Sequence, residues 1–393
     1  MLLRSVRSRP ACNAVSNIAS CLHRTVTDFT DIPKPQQTPS TWRGEDMATA
    51  QSQLSWTYHL NNDDLATIER QAEKSMPLFV GTTANRNVRL LEPKDFPLSP
   101  SLQSKLSEIQ SDLIHGRGFA LLRGLPVDKY NEKELATIFI GLGAHIGKAR
   151  SQNKLGHLLG HVLDLGMNSR DPDVRIYQTN ERQTFHTDSC DVVGLLCLRK
   201  ARRGGLSLLV SANTVYNEMH RLNPDLLRLL LQPIATDRRG EVPPGSDPFL
   251  LIPVFSYWQG HLTVFYQRQY IDSAQRFPSA PRLTEQHVEA LDLFDATCND
   301  PSLHLEMMLQ PGDIQFVHNH SMLHDRTGFE DWVDIEKRRH LLRLWLSVPG
   351  DRALPPVFAS RYGSIEIGNR GGIVLSDTDF CVPFKNDVID SNA

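Results

Sequence analysis

The chain has 393 residues, 40% of them apolar and 22% charged, with a formal net charge of −3. That apolar share supports a sizeable core and excludes a disordered chain, and the near-neutral charge gives no electrostatic case for nucleic acid. No apolar run approaches the ~20 residues a membrane span needs, and six cysteines in so long a chain are too sparse for a disulfide scaffold.

The chain opens on MLLRSVRSRPACNAVSNIASCLHRTVT, which carries Arg4, Arg7, Arg9 and Arg24 and no acid before Asp28. Arginine, serine and small apolar residues without acids match a mitochondrial transit peptide, and no apolar stretch long enough for a secretory signal follows Arg4. The plainer alternative is a basic tail with no address on a cytoplasmic protein. Pro33, Pro35 and Pro39 then punctuate a stretch without periodicity. The expected organisation is a transit peptide and flexible linker over 1–40 and one folded domain over 41–393.

Within the body, 62–73 (NDDLATIERQAE) reads as a capped, exposed helix and 118–126 (GFALLRGLP) as a buried strand ending at a turn. Asn131 with Glu134 resembles a capping box opening the helix ELATIFIGLG. Residues 174–178 (VRIYQ) alternate weakly. Asn223-Pro224 is a cap and first-turn pair for a helix that stops before Pro233. Short apolar runs follow at 250–255 and 261–267, then a helix near 284–296, then strands at 313–318 and 340–348. Many short strands with few helices and no regular β–α alternation point to a mainly β jelly roll or barrel with helical insertions.

Several motifs carry little. Gly141-x-Gly143 ends a helix instead of opening one, so it does not cradle phosphate. No cysteine pair has zinc spacing, Cys190 and Cys197 included. His157 and His161 fall at i, i+4 and could share a helix face, but no glutamate lies between them as a zinc protease requires.

The strongest signal is Phe185-His186-Thr187-Asp188. On a strand, residues i and i+2 project to one side, so His186 and Asp188 can chelate one ion. Two of the three ligands of a 2-His-1-carboxylate iron site would then be in place. The tripeptide alone is common and equally suits a surface or capping pair. The third ligand must come from a distant strand. PGDIQFVHNHSMLHDR (311–326) offers His318, His320 and His324, among which spacing cannot choose. In RRHLLRLWL (338–346), alternation places Arg339, Leu341 and Arg343 on one face and His340, Leu342 and Leu344 on the other. Arginines inside a barrel are costly unless an anion neutralises them, and a guanidinium fork suits a carboxylate. Salt bridges to Asp or Glu would serve equally well.

NERQTFHTD (180–188), GGLS (204–207), PGDIQFVHNHSMLHDRTGFED (311–331) and RRHLLRLWL (338–346) together resemble the TauD/TfdA family of Fe(II)/2-oxoglutarate dioxygenases. The resemblance covers most of residues 75–385. It implies a double-stranded β-helix, the cupin-like jelly roll, with helical insertions. It makes His186, Asp188 and His324 the iron ligands and Arg339 the partner of the distal carboxylate of 2-oxoglutarate. Ser207 matches the hydroxyl residue of the family's GG-x-Thr/Ser motif, and Arg343 looks like the second arginine, near the other carboxylate or an acidic substrate. Asn180, Gln183 and Asn319 are candidates for shaping the pocket.

The implied reaction consumes 2-oxoglutarate and O2, releases succinate and CO2, and hydroxylates or otherwise oxidises a C–H bond of a small acidic substrate. The expected partner is that small molecule, with no nucleic acid or membrane; a homo-oligomer is compatible with the sequence. Two alternatives remain. One is a carnitine-pathway hydroxylase of a trimethylammonium acid, which needs an aromatic cage that Tyr257, Trp258, Phe265 and Tyr266 could supply. Those hydroxylases often carry an N-terminal zinc module, which Cys12 and Cys21 alone cannot build. The other is a cupin-like metal-binding protein without turnover.

Overall fold

The computed structural model describes residues 32–75, 89–168, 174–373 and 379–390. The chain divides into Met1–Lys34 and Pro35–Ala393. The arginine-rich stretch 1–27 lies outside the described residues, and every element named below belongs to the second unit.

Eleven strands carry the alternating segments into two sheets. In chain order they are β1 (Thr57–His59), β2 (Phe119–Arg123), β3 (Lys148–Arg150), β4 (Leu159–Leu163), β5 (Gln183–His186), β6 (Val192–Arg199), β7 (Ser207–Ser211), β8 (His304–Met307), β9 (Ile314–His318), β10 (Met322–Arg326) and β11 (His340–Ser347). The larger sheet runs β1-β2-β9-β6-β11-β3, with β4 also paired to β11. The smaller runs β8-β7-β10-β5. All pairings in both are antiparallel except β1 with β2.

Side-chain alternation shows why two layers form. From the larger sheet, Phe119, Leu121, Val193, Val317, Leu341 and Trp345 turn to one face and join Leu209, Leu305, Met307 and Met322 of the smaller sheet in one buried cluster. The intervening residues, Ala120, Leu122, Leu196, Phe316, Leu342 and Leu344, turn the other way. They meet helices α1 (Asn62–Ser75), α2 (Pro100–Ile114) and α3 (Glu132–Ala144) through Ile68, Leu106, Ile109, Ile138 and Leu142. Both faces of the larger sheet are therefore covered, and each fully buried large apolar side chain contributes on the order of 1.5–3 kcal/mol. Gly141 and Gly143 serve this packing. A Cβ on Gly143 would stand 2.3 Å from Leu344 of β11, so that glycine lets α3 approach the sheet, and one on Gly141 would stand 2.4 Å from Phe96, which follows the 3-10 turn Pro93–Asp95 and packs on the helix.

The local signals are largely realised. Asn131 and Glu134 form the reciprocal capping box of α3. Helix α4 (Ala212–Leu222) leads to α5 (Pro224–Leu230), whose N-cap Asn223 accepts from Leu226 N, and α6 spans Glu285–Cys298. Four readings change. The helix over 62–73 is not an exposed one, because α1 buries Ile68, Gln71 and Ala72 against the core. The weakly alternating 174–178 holds a 3-10 turn, Ile176–Gln178. The run 250–255 is broken at Pro253 into Phe249–Ile252 and Phe255–Trp258, which pair in different hairpins, because proline cannot donate to a ladder. His157 and His161 share no helix; His157 forms a bridge to Cys381 and His161 lies on β4.

The second unit also starts before Thr41. Gln36 N donates to Asn217 Oδ1 at 2.6 Å, and Asn213 Nδ2 donates to Ser40 Oγ at 2.9 Å. Residues 36–40 are thus tied to α4 and are not a free linker; proline spacing hides backbone groups that find partners on a distant helix.

Candidate active site

Strand pairing brings the three expected ligands together. β10 runs antiparallel to β5 with His324 directly opposite His186, and their ring centroids lie 4.1 Å apart. Asp188, two residues on, presents Oδ2 at 3.7 Å from His324 Nε2. One ligand atom from each of the three residues lies within 4.8 Å of the others, and all three side chains are buried. His186 Nδ1 donates to the Thr184 carbonyl at 2.9 Å, which fixes the tautomer and leaves Nε2 as the lone-pair nitrogen. Asn319 Oδ1 accepts from Asp188 N at 2.9 Å and holds the carboxylate's own backbone.

The electrostatics favour a cation here. Burial alone would raise the Asp188 carboxyl, but Arg343, with Nη1 3.3 Å from Oδ1, acts together with His324, His186 and Trp345 to hold it below the usual range. Burial lowers His186, and burial next to His186 lowers His324 to about 3, so both imidazoles are neutral ligands at ordinary pH. Asp188 Oδ2 and His324 Nδ1 are buried without a hydrogen-bond partner. Buried polar atoms left unpaired cost roughly 1–3 kcal/mol each, more when charged. A two-histidine, one-carboxylate donor set, in which Asp188 Oδ2 is unpaired and His186 Nε2 meets only the neutral Gln183 amide, fits a divalent iron.

Beside the ligands lies a cavity lined by Tyr177, Gln183, His186, Ser207, His324, Asp325, Arg326, Arg339 and Arg343, with Val162, Leu195, Leu309 and Leu341 as its apolar wall. It faces both sheets, as the alternation of β11 requires. Arg339 is buried, with Nη1 unpartnered, and burial lowers it to about 10. Asp331 holds it only through the backbone, accepting from Arg339 N at 2.9 Å. The glycine pair of the GGLS segment makes room for the guanidinium. Gly205 has φ +74, and a Cβ there would come within 3.0 Å of Arg339 Nε. Gly204, at φ +79, would meet the Gly328 carbonyl at 2.5 Å. Ser207 Oγ donates to Gln315 Oε1 at 3.0 Å on the cavity wall. Arg343 donates through Nε to Gln152 Oε1 at 2.8 Å and lies between the rings of Tyr177 and Trp345.

The other expectations divide. Gln183 lines the cavity, its Nε2 2.8 Å from His186 Nε2. Asn319 acts from behind Asp188 and does not line the cavity, and Asn180 is exposed, its carbonyl accepting from Phe329 N. His318 and His320 point away from the ligands, to Asp351 and Asp191. The proposed aromatic cage does not assemble on this cavity. Tyr266 donates to Asp295 and packs on Phe294, Phe265 packs on Phe358, and neither Tyr257 nor Trp258 is among the lining residues. Arg326, Tyr177 and Gln315 were not singled out from sequence. Arg326 sits two residues after His324 on β10 and was legible by the same i, i+2 rule that pairs His186 with Asp188.

The family model for taurine catabolism dioxygenase TauD, TfdA family matches residues 84–345. The chain belongs to the TauD/TfdA family. It is therefore a non-haem iron oxygenase that uses 2-oxoglutarate and O2. Among TauD/TfdA-type relatives, FR-33289 synthase of Streptomyces rubellomurinus is 32% identical over 332 residues, covering 82% of this chain and 94% of that protein. The taurine hydroxylase-like protein SAT17 of Stachybotrys chartarum is 30% identical, covering 65% and 67%. A uridine-5'-phosphate dioxygenase of Streptomyces is 30% identical, covering 44% and 64%. The fold is shared with asparagine oxygenase in complex with Fe(II), hydroxyasparagine and succinate (TM-score 0.54, 19% identity, 74% of this chain and 93% of that one). It is shared equally with the oxygenase OrfP in complex with Fe and α-ketoglutaric acid (TM-score 0.55, 17% identity, 74% and 93%). The mainly β core is the one these oxygenases have in common.

Proposed function

We propose that His186, Asp188 and His324 hold the iron, that Arg339 and Ser207 receive the distal carboxylate of 2-oxoglutarate, and that the enzyme oxidises a C–H bond of a small acidic molecule. The single observation carrying this reading is the in-register pairing of His324 with His186 beside a cavity whose arginines outnumber its acids. Bound iron would supply O2 activation coupled to decarboxylation of the 2-oxo acid. The protein's own part is positional. Thr184 and Asn319 orient two ligands, Arg343 helps keep Asp188 ionised, and the apolar wall of Val162, Leu195, Leu309 and Leu341 keeps water from the reacting carbon. The paired sheets are consistent with a double-stranded β-helix.

Three arginines and one aspartate, Asp325, line the cavity beside the Asp188 ligand, so an iron and a dianionic cosubstrate still leave positive charge for an acidic substrate. Two relatives are named for uridine 5'-phosphate and taurine, which carry a phosphate and a sulfonate. The acid-free leader 1–27 supports a mitochondrial address, tested by whether residues 1–40 carry a reporter to mitochondria. The function itself is tested by succinate release from 2-oxoglutarate with Fe(II) across a panel of sulfonates, phosphates, amino acids and trimethylammonium acids. Coupled turnover on an anionic member supports the reading. Turnover on the trimethylammonium acids alone would overturn the acidic-substrate part.

A further inference from the structure

The reading above uses Arg326 only as one of three positive charges, yet it lines the same cavity as Arg339 and is buried alongside it. Both guanidiniums stand over one ring, Phe329, at 4.7 Å and 5.3 Å from its centroid. Two cations sharing a dry wall repel each other, and among the described residues no carboxylate forms an ion pair with either. Asp325, the next residue on β10, points to Arg182, with Nη2 at 2.7 Å. Asp331 meets Arg339 through the backbone N–H. Each guanidinium also keeps one buried N–H unmatched, Nε on Arg326 and Nη1 on Arg339. Two orphaned cationic donors in one cavity, with the Ser207 hydroxyl on its wall, are what a carboxylate would satisfy.

The remaining nitrogens of Arg326 are used. Nη1 donates to the Thr179 carbonyl at 3.2 Å and Nη2 to the Glu181 carbonyl. These carbonyls flank Asn180, whose own carbonyl accepts from Phe329 N at 3.1 Å. The segment leads directly into Gln183 and His186. A neutral side chain of similar length could bond those carbonyls without bringing a second charge into the cavity.

We infer that Arg326 is a second anchor for the distal carboxylate of 2-oxoglutarate, and that its grip on residues 179–181 ties the wall leading to Gln183 and His186 to cosubstrate binding. The inference rests on the reading that this cavity receives 2-oxoglutarate. One acceptor oxygen faces Arg339 and, once its hydroxyl turns from Gln315 Oε1, Ser207; the other faces Arg326, and the like-charge repulsion across Phe329 is relieved when the anion enters.

The test is calorimetric binding of 2-oxoglutarate to the full chain loaded with Zn(II), which needs no turnover. Arg326→Gln is expected to weaken binding about 10-fold or more, while binding of 2-oxopentanoate, which lacks the distal carboxylate, changes less than 2-fold. Arg326→Lys, which keeps the charge, is expected to stay within a few-fold of wild type. Equal 2-oxoglutarate affinity in wild type and a folded Arg326→Gln would overturn the anchor while leaving the cavity assignment intact. Failure of wild type and Arg339→Gln alike to bind 2-oxoglutarate would overturn the assignment itself. The coupling has its own readout in the wild type. Amide exchange across 179–183 is expected to slow several-fold on adding 2-oxoglutarate, and no slowing would refute the tie, whether or not the Arg326 variants fold.

Discussion

Among the described residues, two buried clusters have the composition of a metal site, His186/Asp188/His324 and His318/His320/Asp351. They differ in what their lone pairs already hold. In the second, Asp351 Oδ1 takes a hydrogen bond from Arg352 N and lies 3.1 Å from His318 Nε2, and its Oδ2 accepts from Arg370 Nη2 at 2.9 Å. Neighbouring Asp191 accepts from Arg370 Nε at 2.7 Å and from Val348 N at 2.9 Å, and His320 Nε2 lies 2.8 Å from it. Arg370, fully buried, is the counter-cation that a metal would otherwise be. In the first cluster Asp188 Oδ2 and His324 Nδ1 have no hydrogen-bond partner among the described residues, and His186 Nε2 meets only the neutral Gln183 amide. Residue type therefore does not distinguish the two. One is a closed ion-pair network that fixes the turn carrying Asn319, and the other is a set of donors waiting for a cation.

This contrast can be broken in several ways. The largest expected effect is on stability. Arg370→Met strips both Asp191 and Asp351 of their cation, and denaturant melts are expected to show a loss of about 3–5 kcal/mol. A loss below 1 kcal/mol would mean the network is not closed. Metal titration followed by elemental analysis should give one ion per chain, with His318→Gln leaving that stoichiometry unchanged and His324→Ala abolishing it. Two ions per chain would erase the distinction. Asn319→Ala, which removes the acceptor for Asp188 N, is expected to weaken metal affinity about 10–100-fold with the ligands intact.

The smallest effect concerns pH. Arg199 donates to His340 Nδ1 at 3.1 Å, His340 Nε2–H then donates to His161 Nδ1, and His161 Nε2–H to the Pro383 carbonyl at 3.0 Å. Both rings are neutral in this chain, and burial holds His161 down to about 4. An unfolded histidine takes up its proton near pH 6.5 and the folded one does not, so this stability is fully present above about 6.5 and drains away as pH falls toward 4. Melting temperature should drop across that window, and less steeply in His161→Gln. A flat profile would contradict the neutral chain.

How much of this could be read from sequence depends on distance along the chain. The two-residue period of a strand brings out the His186/Asp188 pair and the Arg339/Arg343 face, and both gather as expected although Asp188 lies just past the end of β5 and Arg339 just before β11. The choice of His324 over His318 and His320 does not follow from spacing, because it depends on β10 pairing in register with β5 while Asp191 and Asp351 claim the other two rings. Arg370 was invisible for the same reason: its partners lie 179 and 19 residues away. Composition misread 35–40 as linker because the partners of Gln36 and Ser40 sit on α4.

The central claim is that the open cluster, and not the closed one, is the seat of oxygen chemistry. Succinate formed from 2-oxoglutarate with Fe(II) and O2 tests it most directly, in wild type, Asp188→Ala and His318→Gln. Wild type and folded His318→Gln are expected to release succinate at rates within about 10-fold of each other, and Asp188→Ala to lose about 100-fold or more. Asp188→Ala as active as wild type would contradict the account.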